Sequence, residues 1–139
     1  MSMTIDAPTI AGGPSLPQRR ELVTSIPGPK SAELIARKQA AVSSSVGTMM
    51  PVYAAAAGGG VIVDVDGNSL IDLGSGIAVT NVGNADPHVA QAVIEQVQRF
   101  THTCFMVTPY DGYVELAEKL NAITPGDHAK RTALFNSGA

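Results

Sequence analysis

The stretch that most constrains the fold is the last one, Arg131-Thr132-Ala133-Leu134-Phe135-Asn136-Ser137-Gly138-Ala139. Thr132 to Phe135 make a short apolar run of strand character, and Asn136-Ser137-Gly138 is turn chemistry. A strand that enters a glycine turn ordinarily opens a helix whose first amides can hold an anion. Such a strand also needs neighbours in a sheet, because a lone edge exposes unpaired backbone and apolar surface. The expectation is that these 139 residues are the N-terminal piece of a larger α/β protein, with most of its function carried by residues beyond Ala139.

Several classes of function are disfavoured by composition. With 45% hydrophobic and 15% charged residues the chain has a globular composition, and its length could bury roughly two-thirds of the unfolded surface. Only 4% of residues are aromatic and Trp is absent, so a core would be built from Val, Ile, Leu and Ala. The net charge of -3 argues against a nucleic-acid surface. Arg19-Arg20 reads as a solvated face rather than a binding patch. Cys104 stands alone, so no intrachain disulfide is possible and a reducing cytoplasm fits. No apolar run approaches the about 20 residues of a membrane span, and Met1 to Pro17 lacks the layout of a signal peptide.

Along the chain, residues 1–18 read as a disordered extension rich in Pro and Gly. Ile26-Pro27-Gly28-Pro29 is a turn, and Lys30 to Val42 reads as a helix with Glu33 favourable in its first turn. Val52-Tyr53-Ala54 is a predicted strand, Gly58-Gly59-Gly60 a turn or bulge, and Val61 to Val65 a second strand. Asp66-Gly67 is a strong hairpin signal that returns the chain as Ser69 to Leu73, so an antiparallel meander is expected. Asp86-Pro87 is a helix start, with Val89, Val93, Val97 and Phe100 on one face. A further helix is predicted from Asp111 to about Ala122, stopped by Thr124-Pro125-Gly126-Asp127.

Among the candidate sites, the glycine runs Gly58-Gly59-Gly60 and Gly74-Ser75-Gly76 each contain G-x-G. Val63 and Val79 occupy the place of the third glycine, and no P-loop motif occurs. Gly74-Ser75-Gly76-Ile77-Ala78-Val79 leaves two readings open. Its glycines allow close approach to a ligand that Ile77 would wall, or the segment is a tight strand exit with Ile77 in the core. His102 and Cys104 are two soft ligands without zinc spacing, and His88 and His128 sit on other elements. A Cys104 nucleophile would need a base that the sequence does not single out. Asp64, Asp66 and Asp72 read as turn-making and solubilising residues, and Tyr110 and Tyr113 as packing anchors. The strongest functional candidate is Asn136-Ser137-Gly138-Ala139, whose backbone amides suit a phosphate.

Taken together, five segments resemble class III pyridoxal-phosphate aminotransferases. They are Asp64-Val65-Asp66-Gly67-Asn68, Ile71-Asp72-Leu73-Gly74-Ser75-Gly76-Ile77-Ala78-Val79, Phe100-Thr101-His102-Thr103-Cys104-Phe105, Tyr113 with Leu116, and Phe135-Asn136-Ser137-Gly138-Ala139. The resemblance runs from about Arg19 to the end of the chain, and the His-Thr-Cys-Phe segment is similar to the bacterial 4-aminobutyrate group of that class. It implies an α/β fold of fold type I in a homodimer. Residues 19–108 would supply the N-terminal segment and part of the small domain, with its helix and antiparallel meander. Residues 109–139 would begin the large cofactor-binding domain. By motif, Ser137, Gly138 and Ala139 would bind the phosphate of pyridoxal 5'-phosphate, and Ile77 would line the substrate side. Met106 stands where some members have a glutamine, and no role is carried over to it.

The resemblance also implies an activity: transfer of the amino group of 4-aminobutyrate to 2-oxoglutarate, giving succinate semialdehyde and glutamate. Two alternatives stand beside it, another class III ω-aminotransferase of ornithine or acetylornithine type and a non-catalytic truncated product. The family's cofactor-binding lysine, its pyridine-nitrogen aspartate and its carboxylate-binding arginine come later than Ala139 in the family. None of Lys30, Lys38, Lys119 and Lys130 sits in a segment that would bury it. The 139 residues alone are therefore expected to be inactive.

Overall fold

The structure, a computed structural model, describes residues 15–137, so most of the expected disordered extension lies outside the described residues. Its elements in order are α1 (Pro29–Ala41), β1 (Ala54–Gly58), β2 (Val61–Asp64), β3 (Ser69–Ile71), α2 (Ser75–Ala78), α3 (Pro87–Arg99) and α4 (Asp111–Ile123). The chain divides into two compact units, Met1–Val97 and Gln98–Ala139, with the boundary inside α3.

In the first unit the expected antiparallel meander forms in the order β1-β2-β3. Val61 pairs with both Gly58 and Ile71, and it is the buried apolar residue at the centre of the sheet, 1% exposed. The β2–β3 hairpin closes through Asp64 N–H to Asn68 O at 2.9 Å. That leaves a three-residue loop, Val65-Asp66-Gly67, in which Gly67 takes φ +91°, a conformation glycine adopts without a Cβ clash.

This hairpin is organised by a buried polar knot. The Asp64 carboxylate accepts from the amides of Asp66 (2.9 Å) and Asn68 (2.8 Å) and from the Asn68 side-chain amide (2.8 Å). Asn68 in turn accepts from the amides of Val23 and Thr24, both at 2.9 Å, and donates to the Thr24 hydroxyl. Asp64 and Asn68 are buried, yet every partner is supplied, so the knot escapes the penalty of about 1–3 kcal/mol for each unsatisfied buried group. It ties the segment before α1 to the hairpin. Glu21 adds a bridge to the outer edge of β3, opposite Ser69.

The start of α1 differs from the sequence expectation in one respect. Glu33 lies beyond the first turn, which holds no acidic residue. The N-terminal amides are instead satisfied from far along the chain: Lys30 and Ser31 donate to the Asp66 carboxylate at 2.8 and 2.9 Å. Partial desolvation opposes the Asp66 charge. The Ser31 hydroxyl, the two amides and the Lys30 ammonium outweigh it and hold the carboxyl below its ordinary range. The Ser31 side chain is buried at this junction. The Tyr53 hydroxyl donates to Leu34 O and fastens the middle of α1.

Three further expectations shift. β1 begins at Ala54 rather than spanning Val52 to Ala54, because pairing with β2 selects Ala54–Gly58 despite its small side chains. β3 ends at Ile71, so Leu73 has left the sheet. Thr132 to Phe135 form no strand, since no strand lies beside them among the described residues. The predicted start of α3 holds: the Asp86 carboxylate accepts from His88 and Val89 amides at 2.9 and 3.1 Å. Its apolar face stays open, with Val89, Val93 and Val97 each more than half exposed.

The second unit is gathered by aromatic rings. Phe105 stacks on Tyr113 at 4.2 Å and meets Tyr110 edge-on at 5.4 Å, while Phe100 and Tyr110 stand 5.7 Å apart. Such pairs add about 0.5–1.5 kcal/mol each beyond area burial. The Tyr113 hydroxyl accepts from Leu134 N–H (2.8 Å) and Thr132 donates to Asn121 (2.9 Å), which draws the last described segment onto α4. Among the described residues no helix is long and apolar enough to cross a membrane.

Candidate functional site

Leaving β3, the chain enters a turn that no ordinary L-residue prefers. Ser75, Gly76, Ile77 and Ala78 take φ of +45°, +60°, +62° and +61°, so α2 is one turn of left-handed helix. Glycine tolerates this, but each L-residue there is strained by about 1–2 kcal/mol, and a β-branched isoleucine is a genuine outlier. In the sequence, the glycines mark the segment. The left-handed isoleucine carries no sequence signal, since Ile is among the residues least expected at positive φ.

Two sets of bonds hold the turn. Within it, Gly74 O accepts from Ile77 and Ala78, and Ser75 O from Val79 and Thr80. From outside, one oxygen of Asp72 accepts from Gly74 N–H (3.0 Å) and Ser75 N–H (2.8 Å). The Asn84 side-chain amide donates to the other at 3.2 Å. Bonds to a charged acceptor are worth about 1.5–3 kcal/mol each, so two of them match the intrinsic strain of the turn.

The base of the loop is fastened to the sheet. Asp72 N–H donates to Gly60 O, and Asn84 and Gly59 exchange backbone bonds at 2.8 and 2.9 Å. Gly83, at φ +97°, lies so close to Gly59 that a Cβ there would meet the Gly59 Cα at 3.1 Å. The glycine turn is gripped on its other side by Gln18, which donates to Gly58 O and accepts from Gly60 N–H.

The tip of this anchored loop displays apolar side chains. Among the described residues Ile77 is 92% exposed and Leu73 93%, so neither packs into the core of its own unit. A strained backbone held by a fully bonded base, presenting apolar groups outward, suits a wall for a small ligand. Asp64, Asp66 and Asp72 all make turns, as expected, but Asp64 is buried and none of the three serves mainly as a solubilising charge.

The remaining candidates lie in the second unit, apart from His88 on α3. Ser137 is exposed and follows the tether at Leu134, whereas Gly138 and Ala139 lie outside the described residues. No helix N-terminus follows Ser137 among the described residues. His102, Cys104 and Met106 are all exposed, and the Cys104 carbonyl closes a turn with Val107 and Thr108. Ile77 and Ser137 fall in different units.

The comparisons with known proteins cover both segments. The family model of class-III aminotransferases matches residues 42–139. Over 125 residues, 90% of the chain, the sequence is 66% identical to a 4-aminobutyrate aminotransferase of Mycobacterium tuberculosis. It is 61% identical over the same length to one of Mycobacterium leprae. Over 106 residues, 76% of the chain, it is 44% identical to a 5-aminovalerate aminotransferase of Pseudomonas putida. The chain belongs to the class-III aminotransferase family. It spans 28% of the length of the mycobacterial relatives and 25% of the Pseudomonas one.

Proposed function

We propose that this chain is the N-terminal portion of a pyridoxal-phosphate-dependent transaminase. The whole protein would move the amino group of 4-aminobutyrate to 2-oxoglutarate, giving succinate semialdehyde and glutamate. The observation that carries this reading is the 66% identity to a relative named for 4-aminobutyrate, over 90% of the chain. The Ser137 hydroxyl and the amides of Gly138 and Ala139 would hold the cofactor phosphate. Ile77, displayed by the left-handed turn, would line the donor side, where an apolar wall suits the methylenes of an ω-amino acid. When bound, pyridoxal phosphate supplies the carbonyl that takes up the amino group and the ring that accommodates the electron pair. The protein would work in the cytoplasm as a homodimer, taking an amino donor and a 2-oxo acid as small-molecule partners.

Residues 1–139 alone would not turn over. Lys30 and Lys119 are exposed, and Lys38 and Lys130 are partly exposed and donate to the carbonyls of Val46 and Gly126. None has the desolvated setting that imine chemistry requires. A second reading, transfer from a different ω-amine, is favoured by the 44% identity to the 5-aminovalerate enzyme; donors of ornithine or acetylornithine type belong to the same alternative. The test is glutamate formation from 4-aminobutyrate and 2-oxoglutarate. The full-length protein should form glutamate and the 139-residue chain should not. Turnover by the short chain, or none by the full-length protein, would overturn the reading.

A further inference from the structure

We propose that Asp72 is a positioning residue for the donor wall, holding Ile77 in place through the left-handed turn, with Asn84 as the clamp that fixes its carboxylate. This rests on the assignment of Ile77 to the donor side. The bonds inside the turn would re-form in many loop conformations. The ties from the turn to the rest of the unit run through Asp72, whose carboxylate accepts from Gly74 and Ser75 on one oxygen and from Asn84 on the other. Asp72 and Asn84 are themselves seated by backbone bonds on Gly60 and Gly59. The two side chains therefore meet across the base of the loop, and the tip hangs from their contact.

The geometry separates this role from catalysis. All three bonds to the Asp72 carboxylate serve the loop, which leaves it poorly placed to act on a substrate. Within its own unit Ile77 is 92% exposed and contributes little to the packing, so the carboxylate holds a displayed side chain rather than a buried one. Without the carboxylate, Ser75, Ile77 and Ala78 would relax toward right-handed or extended backbone, and the isoleucine would leave its place.

The test uses the full-length protein and two donors that differ by one methylene, 4-aminobutyrate and 5-aminovalerate. The readout is the ratio of their kcat/KM values, which the fraction of correctly folded enzyme does not move. Asp72→Ala and Asn84→Ala should each shift that ratio by about tenfold, the scale on which a pocket wall discriminates one methylene, mainly through KM. The exchange Asp72→Asn with Asn84→Asp keeps an acceptor for the turn amides and a donor–acceptor pair at the clamp, and should bring the ratio back toward wild type. If Asp72→Ala does not fold, Asn84→Ala still carries the test. A ratio unchanged in the foldable single variants, or an exchange that behaves like them, would overturn the role alone. Wild-type protein that turns over neither donor would overturn the proposed function, and this role with it.

Discussion

Two turns in the first unit are built around an aspartate, and they use it to opposite ends. In the β2–β3 hairpin, Asp64 is buried, its partners are backbone and Asn68, and the positive φ falls on Gly67. At the exit of β3, Asp72 is partly exposed and the positive φ falls on Ser75, Ile77 and Ala78 as well as on Gly76. The same chemistry, a carboxylate collecting backbone amides, gives a relaxed joint in one place and a strained display in the other. What differs is who occupies the left-handed positions. A hairpin that only has to reverse the chain uses glycine. The loop after β3 puts an exposed isoleucine where glycine would be easier.

The largest expected effect comes from breaking the relaxed turn. Asp64→Ala leaves the Asp66 and Asn68 amides and the Asn68 side chain short of an acceptor. It should destabilise the unit by about 3 kcal/mol, read by denaturant unfolding of the full-length protein. The next pair sharpens the contrast directly. Gly67→Ala should destabilise by about 1–2 kcal/mol, because a Cβ is forced to positive φ. Ile77→Gly should stabilise by about 0.5–1 kcal/mol, since relief of strain exceeds the entropy of the added glycine, while weakening donor binding. A destabilising Ile77→Gly would show the turn to be unstrained. The smallest effect concerns Asp66. Its carboxyl is held low in the folded state, so its contribution is present above the ordinary carboxylate pKa and is lost as pH falls through the folded value. Protection of the Lys30 and Ser31 amides, taken relative to the intrinsic exchange rate at each pH, should fall only below about pH 4, and Asp66→Asn should remove that acid dependence.

Legibility in the sequence follows the range of the interactions. Asp86-Pro87 announces α3 because cap and helix are adjacent, and Asp66-Gly67 announces the hairpin for the same reason. The cap of α1 cannot be read locally, since Asp66 lies thirty-six residues from Lys30. β1 lies off its expected place because Val52 and Tyr53 carry the stronger strand propensity, while pairing with β2 selects the alanines. At the candidate site, Gly74 and Gly76 mark a turn and leave Ile77 open between core and ligand wall; within its own unit it is 92% exposed. The Asp72–Asn84 contact spans twelve residues and depends on Gly83 approaching Gly59, which no local motif encodes. For the phosphate site, Ser137 alone lies within the described residues, and its role rests on the motif, as do those of Gly138 and Ala139.

The most direct test of the account is a comparison of amino donors in the full-length protein, with 2-oxoglutarate as acceptor. kcat/KM should be highest for 4-aminobutyrate, lower for 5-aminovalerate and lower again for ornithine. A preference for ornithine or acetylornithine, or no transfer from any of these donors, would contradict it.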